Sequence, residues 1–222
     1  MKERLELCPH AAFNAALGGE RCEVVTASEG VTQLPAERWL GPPDLTDQRL
    51  LLSRCDGPTL DVGCGPGRLS AALVARGTVV MGIDVSDVAV MQAIDRGATA
   101  LRRDVFGPVP ALGRWHHVLL ADGNVGIGGD PVRLLRRSVE LLRKGGTVVV
   151  ELSAPGTGLR RDRIRLRVQG RMSAPFDWAS VGADVVGSLA DESGLELLRL
   201  DELAGRWVAV LRRPLADPAV QS

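Results

Sequence analysis

The chain has no tyrosine, three phenylalanines and four tryptophans in 222 residues. It therefore offers few stacking platforms for single-stranded nucleic acid. Of its 27 basic residues only Lys2 and Lys144 are lysines, and 27 acidic residues bring the formal net charge to zero. A neutral chain has no general attraction to nucleic acid or to anionic membrane surfaces. No apolar run approaches the roughly 18 residues of a membrane span. The N-terminus lacks a signal-peptide core. The four cysteines, Cys8, Cys22, Cys55 and Cys64, make no C-x-x-C pair, so they read as reduced thiols and the expected location is cytoplasmic. With 45% apolar residues the chain has enough material for a sizeable core.

The most informative stretch is Leu60-Asp61-Val62-Gly63-Cys64-Gly65-Pro66-Gly67-Arg68-Leu69. An apolar strand, Thr59–Val62, runs into glycines at alternate positions, and an amphipathic helix follows. Such a turn brings bare backbone and a helix N-terminus to a ligand. A dinucleotide G-x-G-x-x-G would need glycine where Arg68 stands, and the G-K-[ST] ending of a phosphate-cradling loop is absent. An acid two residues before the first glycine suits a cationic ligand.

Apolar runs at Thr59–Val62, Val79–Ile83, Thr99–Leu101, His117–Ala121 and Thr147–Leu152 alternate with helical patterns over Gly67–Arg76, Ser86–Arg96 and Pro131–Arg143. Alternation of this kind predicts a doubly wound, mostly parallel sheet. Arg163–Val168 alternates arginine with apolar residues and reads as a charged outer strand. A helix from Val181 to Ser193 and strands over Leu195–Leu200 and Arg206–Leu211 close the pattern. Before it, Pro9–Leu17 reads as a short helix stopped by Gly18-Gly19. Cys22–Thr26 and Val31–Leu34 read as a hairpin turning at Glu29-Gly30.

The D-x-G-x-G-x-G segment resembles motif I of the class I S-adenosylmethionine-dependent methyltransferases, and the resemblance covers about residues 46 to 213. It implies an α/β fold with a doubly wound, mostly parallel seven-stranded sheet of order 3-2-1-4-5-7-6, strand 7 antiparallel. Residues 1–45 would form an N-terminal helix and hairpin cap on a core of residues 46–222. The cofactor implied is S-adenosyl-L-methionine, held by Asp61, Gly63, Cys64, Gly65 and Gly67. Further along, Asp84 would accept from the ribose hydroxyls, Val85 would pack on adenine, and Asp104 with Val105 would meet the base, with Phe106 as a flanking ring. The loop after the fourth strand, from Ala121 and Asp122 to Asn124, would face the transferring methyl. Asp122 and Asn124 are thus the candidate substrate-facing groups, and turn formation is their other reading. His10 is a candidate base carried by the cap. The same loop lacks the [DN]-P-P-[YF] sequence of amino-group methylases acting on nucleobases and glutamine. His116 and His117 open the fourth strand, at the end remote from the cofactor. No metal-ligand cluster is visible. The expected partner is a small-molecule substrate, with no nucleic acid and no membrane; the oligomeric state is not legible. Trp39 and Trp178 fall near the segments that would enclose the substrate, where they either line its pocket or pack in the core. Methyl transfer to a small molecule is the leading reading. S-adenosylmethionine binding without transfer, and a nucleotide-dependent oxidoreductase, are the alternatives.

Overall fold

A computed structural model describes residues 6–27 and 30–215. Glu29, at the tip of the expected hairpin, lies outside the described residues. The chain opens with helix α1 (Pro9–Leu17), strands β1 (Cys22–Thr26) and β2 (Gly30–Gln33), and a short helix α2 (Ala36–Leu40). A π-helical turn, Asp47–Leu51, and a 3-10 turn, Leu52–Arg54, lead into the alternating region. There β3 (Thr59–Val62), α3 (Arg68–Ala75), β4 (Val80–Asp84), α4 (Asp87–Asp95), β5 (Ala100–Arg102), β6 (Trp115–Leu120), α5 (Pro131–Leu141) and β7 (Leu142–Leu152) follow one another. Three further strands come next, β8 (Leu159–Val168), β9 (Arg171–Met172) and β10 (Phe176–Val181). Helix α6 (Val186–Glu192), β11 (Glu196–Leu203) and β12 (Arg206–Arg212) end the fold.

Seven strands form one sheet in the order β11-β12-β7-β6-β3-β4-β5. The pairs of β3, β4, β5, β6 and β7 are parallel, and β12 runs antiparallel between β7 and β11. This is the expected strand order. Its central strands are apolar at successive positions because both faces are covered. Val118, Leu120, Val148 and Val150 pack with Leu134 and Leu135 of α5 on one side. Leu119 and Val149 pack with Leu69 and Leu73 of α3 and with Leu50–Leu52 on the other.

Local signals set the helix starts. Ser86 Oγ accepts from the Ala89 N–H at 3.0 Å, and Asp130 Oδ1 accepts from the Arg133 N–H at 3.2 Å, with Pro131 in the first turn. Two boundaries differ from expectation. Helix α5 stops at Leu141, and strand β7 begins at once, running through Gly145 with φ +74°. Glycine there lets the strand bend rather than cap the helix. The expected 181–193 helix is shorter because Val181 is the last residue of β10.

The second sheet, β10-β8-β1-β2 with β9 on β8, joins the N-terminal hairpin to the segment after β7. Strand β8 is thus interior to that sheet, not the charged outer strand its alternation suggested. Its apolar residues Leu166 and Val168 pack with Ala12 and Ala16 of α1. The α1 helix is tied to α4: Ser86 Oγ lies 2.6 Å from Asn14 Oδ1, and Gln92 Nε2 donates to the Leu17 carbonyl at 3.0 Å. Arg96, also at the end of α4, donates to the carbonyls of Trp39 and Leu40. Among the described residues no helix is long and apolar enough to cross a membrane.

Candidate active site

A cavity of about 600 Å³ lies between the carboxyl ends of β3, β4 and β6 and the inner face of the second sheet. Open α/β sheets place ligands at this end of their strands. At its floor, β3 delivers the glycine loop. Gly63, Gly65 and Gly67 have φ of +68°, +53° and +78°, a region costly for residues with a Cβ. The three glycines then separate by environment. A Cβ on Gly65 would meet nothing within 4 Å, whereas one on Gly67 would sit 2.7 Å from the Ala93 Cβ. Gly65 therefore faces open cavity, and Gly67 lets α3 pack against α4. Gly67 alone among the expected cofactor residues does not line the cavity; Asp61, Gly63, Cys64, Gly65, Asp84, Val85, Asp104, Val105, Ala121 and Asp122 all do.

Three carboxylates frame that floor. Asp61 is fully enclosed and accepts from Ser70 Oγ at 2.6 Å. Burial pushes its pKa up to about 6, the Ser70 hydroxyl opposes this, and the nearby Asp122 charge adds to it. Asp84, at the end of β4, accepts from the Gly65 N–H at 3.0 Å and from the Ser86 N–H at 2.9 Å. Burial raises its pKa as well, against those backbone donors and the positive field of His10. Asp122 leaves β6 with φ +52°, and burial raises its carboxyl despite Arg68. Asp104 Oδ1 accepts from the Phe106 N–H at 2.9 Å. Cys64 turns its Sγ toward Gly82, and burial raises its thiol far above the nucleophilic range.

Asp122 belongs to an ion-pair network that the sequence did not announce. Arg68, 3% exposed at the start of α3, pairs with Asp122 at 2.7 Å and with Asp47. Asp47 also takes Arg206 at 2.8 Å and Arg38 at 3.3 Å. Glu151 accepts from Arg206 Nε at 2.8 Å and from the Asp122 N–H at 2.8 Å. Burial opposes ionisation of Asp47 and Glu151, yet Arg68 acting on Asp47 and Arg206 acting on Glu151 outweigh it, and both pKa values fall. The one readable signal was Glu151, a charge inside the apolar run Thr147–Leu152. Asp47 carried none, because its partners Arg38, Arg68 and Arg206 are 9, 21 and 159 residues away and share no helical or strand period with it.

Asn124 lines the cavity, but its amide is engaged: Nδ2 donates to the Val62 and Gly63 carbonyls, each at 2.9 Å. The side chain therefore braces the glycine loop from the β6 loop. Of the three histidines, only His10 lines the cavity. His117 bonds Asp56 and Thr147 near the start of β3, at the opposite end of the sheet. Trp39 and Trp178 both line the cavity. The cap sheet presents Ile164 and Leu166 to it, while intervening arginines pair elsewhere, Arg165 with Glu6 and Arg167 with Glu23. Those two arginines neutralise surface acids of the cap.

Residues 59–146, from the glycine-loop strand through β6 and α5 to the first turn of β7, match a family model described as a methyltransferase domain. Over these residues the chain is similar to methyltransferase domains. No curated protein sequence matches the chain. Among solved structures, a methyltransferase from Bacteroides fragilis, crystallised with S-adenosyl-L-homocysteine, has a TM-score of 0.77 at 20% identity. That alignment covers 93% of this chain and 94% of the other. An amino pentose methyltransferase from Micromonospora echinaspora, with S-adenosylmethionine bound, has a TM-score of 0.57 at 18% identity, covering 81% and 95%. A sugar N-methyltransferase from a Streptoalloteichus species has a TM-score of 0.56 at 17% identity, covering 73% and 82%. The chain therefore has the fold of S-adenosylmethionine-dependent methyltransferases.

Proposed function

We propose that this protein transfers the methyl group of S-adenosylmethionine to a small molecule held between the glycine loop and the cap sheet. One observation carries the reading: Gly65 opens with no atom in the way of a ligand, and Asp84 receives its N–H from the next strand end. The donor set fits the cofactor. Buried, acid-rich walls suit its ammonium and sulfonium charges, and the floor offers bare backbone for close approach. When bound, the cofactor supplies an electrophilic methyl on a positive sulfur.

The chain's own residues would then divide the work. Gly63, Cys64 and Gly65 set the loop beside the ligand, with Gly67 holding its shape through the contact of α3 with α4. Asp84 keeps unused lone pairs for two ribose hydroxyls, Val85 and Val105 flank the base, and Asp104 accepts from its amino group. Asp61, Ala121 and Asp122 surround the ammonium end. Elements α1, β1, β2 and α2, with the strands between β7 and α6, would form the roof that excludes water. Holding nucleophile and methyl in line contributes up to about 7–11 kcal/mol to such a displacement. Gly63, Gly65 and the acids beside them would hold the cofactor so that its methyl could pass to an acceptor lone pair, leaving S-adenosylhomocysteine. His10, in the first turn of α1 and lining the cavity, would take the proton the acceptor gives up. Asp122 and Asn124 hold the adjacent loop in register. Four free cysteines suit a reducing cytoplasm.

Calorimetric titration with S-adenosylhomocysteine tests the reading. Micromolar binding is expected, with NAD weak or silent. Asp84→Ala should weaken binding more than about tenfold in a folded protein, since each charge-assisted bond contributes about 1.5–3 kcal/mol. Tight NAD binding with no response to S-adenosylhomocysteine would overturn it.

A further inference from the structure

The strand registers lay out the inner face of the cap sheet residue by residue. Strand β8 lines the cavity at every second position, with Asp162, Ile164 and Leu166, as the pleat requires. Across from Ile164, β10 supplies Phe176. Across from Leu166, β1 supplies Val24. Both of these also line the cavity, and Ile164 and Leu166 are buried. Phe13 of α1 closes on Phe176 edge to face, at 5.9 Å and 60°, and Trp178 stands on its other side at 6.5 Å and 85°. Side chains from α1, β1, β8 and β10 thus make one continuous apolar wall with aromatic edges and faces.

The charges that line the cavity are of both signs and are engaged elsewhere. Asp162, at one end of the wall, has a partner of its own. Asp177 pairs with Arg163 at 3.5 Å in solvent. Arg103, exposed after β5, donates to the Arg102 carbonyl at 2.9 Å. Arg68 lies between Asp47 and Asp122. His10 stands at the start of α1, where its field reaches Asp84 on the cofactor floor. Among the described residues, no ionisable side chain lies on the stretch formed by Val24, Leu166, Ile164 and Phe176. A charged substituent laid against that stretch would lose its hydration and gain no counter-charge. The hydroxyls that the cap sheet adds to the lining are Thr26, Thr32 and Ser180, and Thr26 is already engaged. They are too few to pair the hydroxyls around a sugar ring, and each one left unpaired would weaken binding. An uncharged apolar ring gains burial and ring contacts at no such cost.

We infer that the cap chamber takes an uncharged, apolar ring compound, laid against Phe13, Phe176 and Leu166. That this compound is the methyl acceptor rests on the methyl-transfer reading; the chamber's preference for it does not.

Four probes test this at pH 7 on the full chain saturated with S-adenosylhomocysteine: 2-phenylethanol, 2-phenylethylamine, 3-phenylpropanoate and methyl glucoside. Calorimetry should rank the phenyl alcohol tightest, by about tenfold or more over each of the other three. Phe176→Leu keeps the wall apolar but removes the central ring. It should weaken the phenyl alcohol by about threefold or more and leave S-adenosylhomocysteine affinity unchanged. The wild-type ranking stands even if that variant fails to fold. Equal or tighter binding of the amine, the acid or the glucoside would overturn the inference, as would no binding of any probe. Unchanged affinity for the phenyl alcohol in folded Phe176→Leu would overturn the placement of the ring. Failure of S-adenosylhomocysteine to bind would instead remove the methyl-transfer reading, and the probe ranking would then be measured on the protein alone.

Discussion

Asn124 offers a sharp test of how the glycine loop is held. Its amide nitrogen donates to the carbonyls of Val62 and Gly63, both at 2.9 Å. These carbonyls end β3 and begin the turn, where Gly63 already holds φ +68°. A Cβ on Gly63 would lie 2.7 Å from the same nitrogen, so side chain and loop are in close contact. Asn124→Ala removes both bonds, each contributing about 1 kcal/mol net. The site is half-buried, so water re-solvates part of what is lost, and a destabilisation of about 2 kcal/mol is expected. For a domain of this size that lowers Tm by about 4–8 °C. If the loop must then be ordered by the ligand, the same 2 kcal/mol appears as up to about thirtyfold weaker S-adenosylhomocysteine binding. Asn124→Asp is the stricter variant. It preserves size but turns acceptor oxygens toward two carbonyl oxygens, so it should be worse than alanine on both counts. Differential scanning calorimetry and isothermal titration on the two proteins measure both quantities. Unchanged Tm and unchanged affinity in both variants would refute the bracing role and return the side chain to the substrate.

Gly65→Val should leave a folded protein, because a Cβ there meets nothing within 4 Å. It should nonetheless abolish S-adenosylhomocysteine binding, since the branched side chain occupies the ligand's place and disfavours φ +53°; retained binding would show that the loop touches no ligand. Asp61 should make the unliganded protein pH-sensitive. The folded state keeps its proton to about pH 6 while an unfolded aspartate releases it at about 3.8, so the Asp61 contribution to stability falls as pH rises through that window, by about 3 kcal/mol. Urea unfolding of wild type and Asp61→Asn at pH 4 and pH 7 isolates this contribution, and the variant should gain on the wild type at the higher pH. Parallel pH profiles would show that Asp61 does not titrate there.

Much of the core was legible because its signals are local. The alternation of apolar runs with helical patterns, Ser86 and Asp130 at helix starts, and glycines between Asp61 and Arg68 each act within a few residues. Together they announced a doubly wound, mostly parallel sheet and a candidate ligand site, and the resemblance supplied the seven strands and their order. The resemblance added assignments for Asp84, Asp104 and Asp122, and all three line the cavity. Only the tertiary structure decided the rest. Strand β8 alternates as an exposed edge would, yet it pairs with β1, which precedes it by more than a hundred residues. Its apolar face could be explained by either solvent-edge or interior placement until the partner was known. The same pairing folds the N-terminal hairpin and the post-β7 segment into a single roof and gathers aromatics from distant positions onto it. Asn124 read equally well as a substrate contact or a turn residue, because the direction of an amide depends on what lies across from it. Arg68, Asp47 and Arg206 gave no local pattern at all, since an ion pair leaves no period in the chain when its partners meet only after folding.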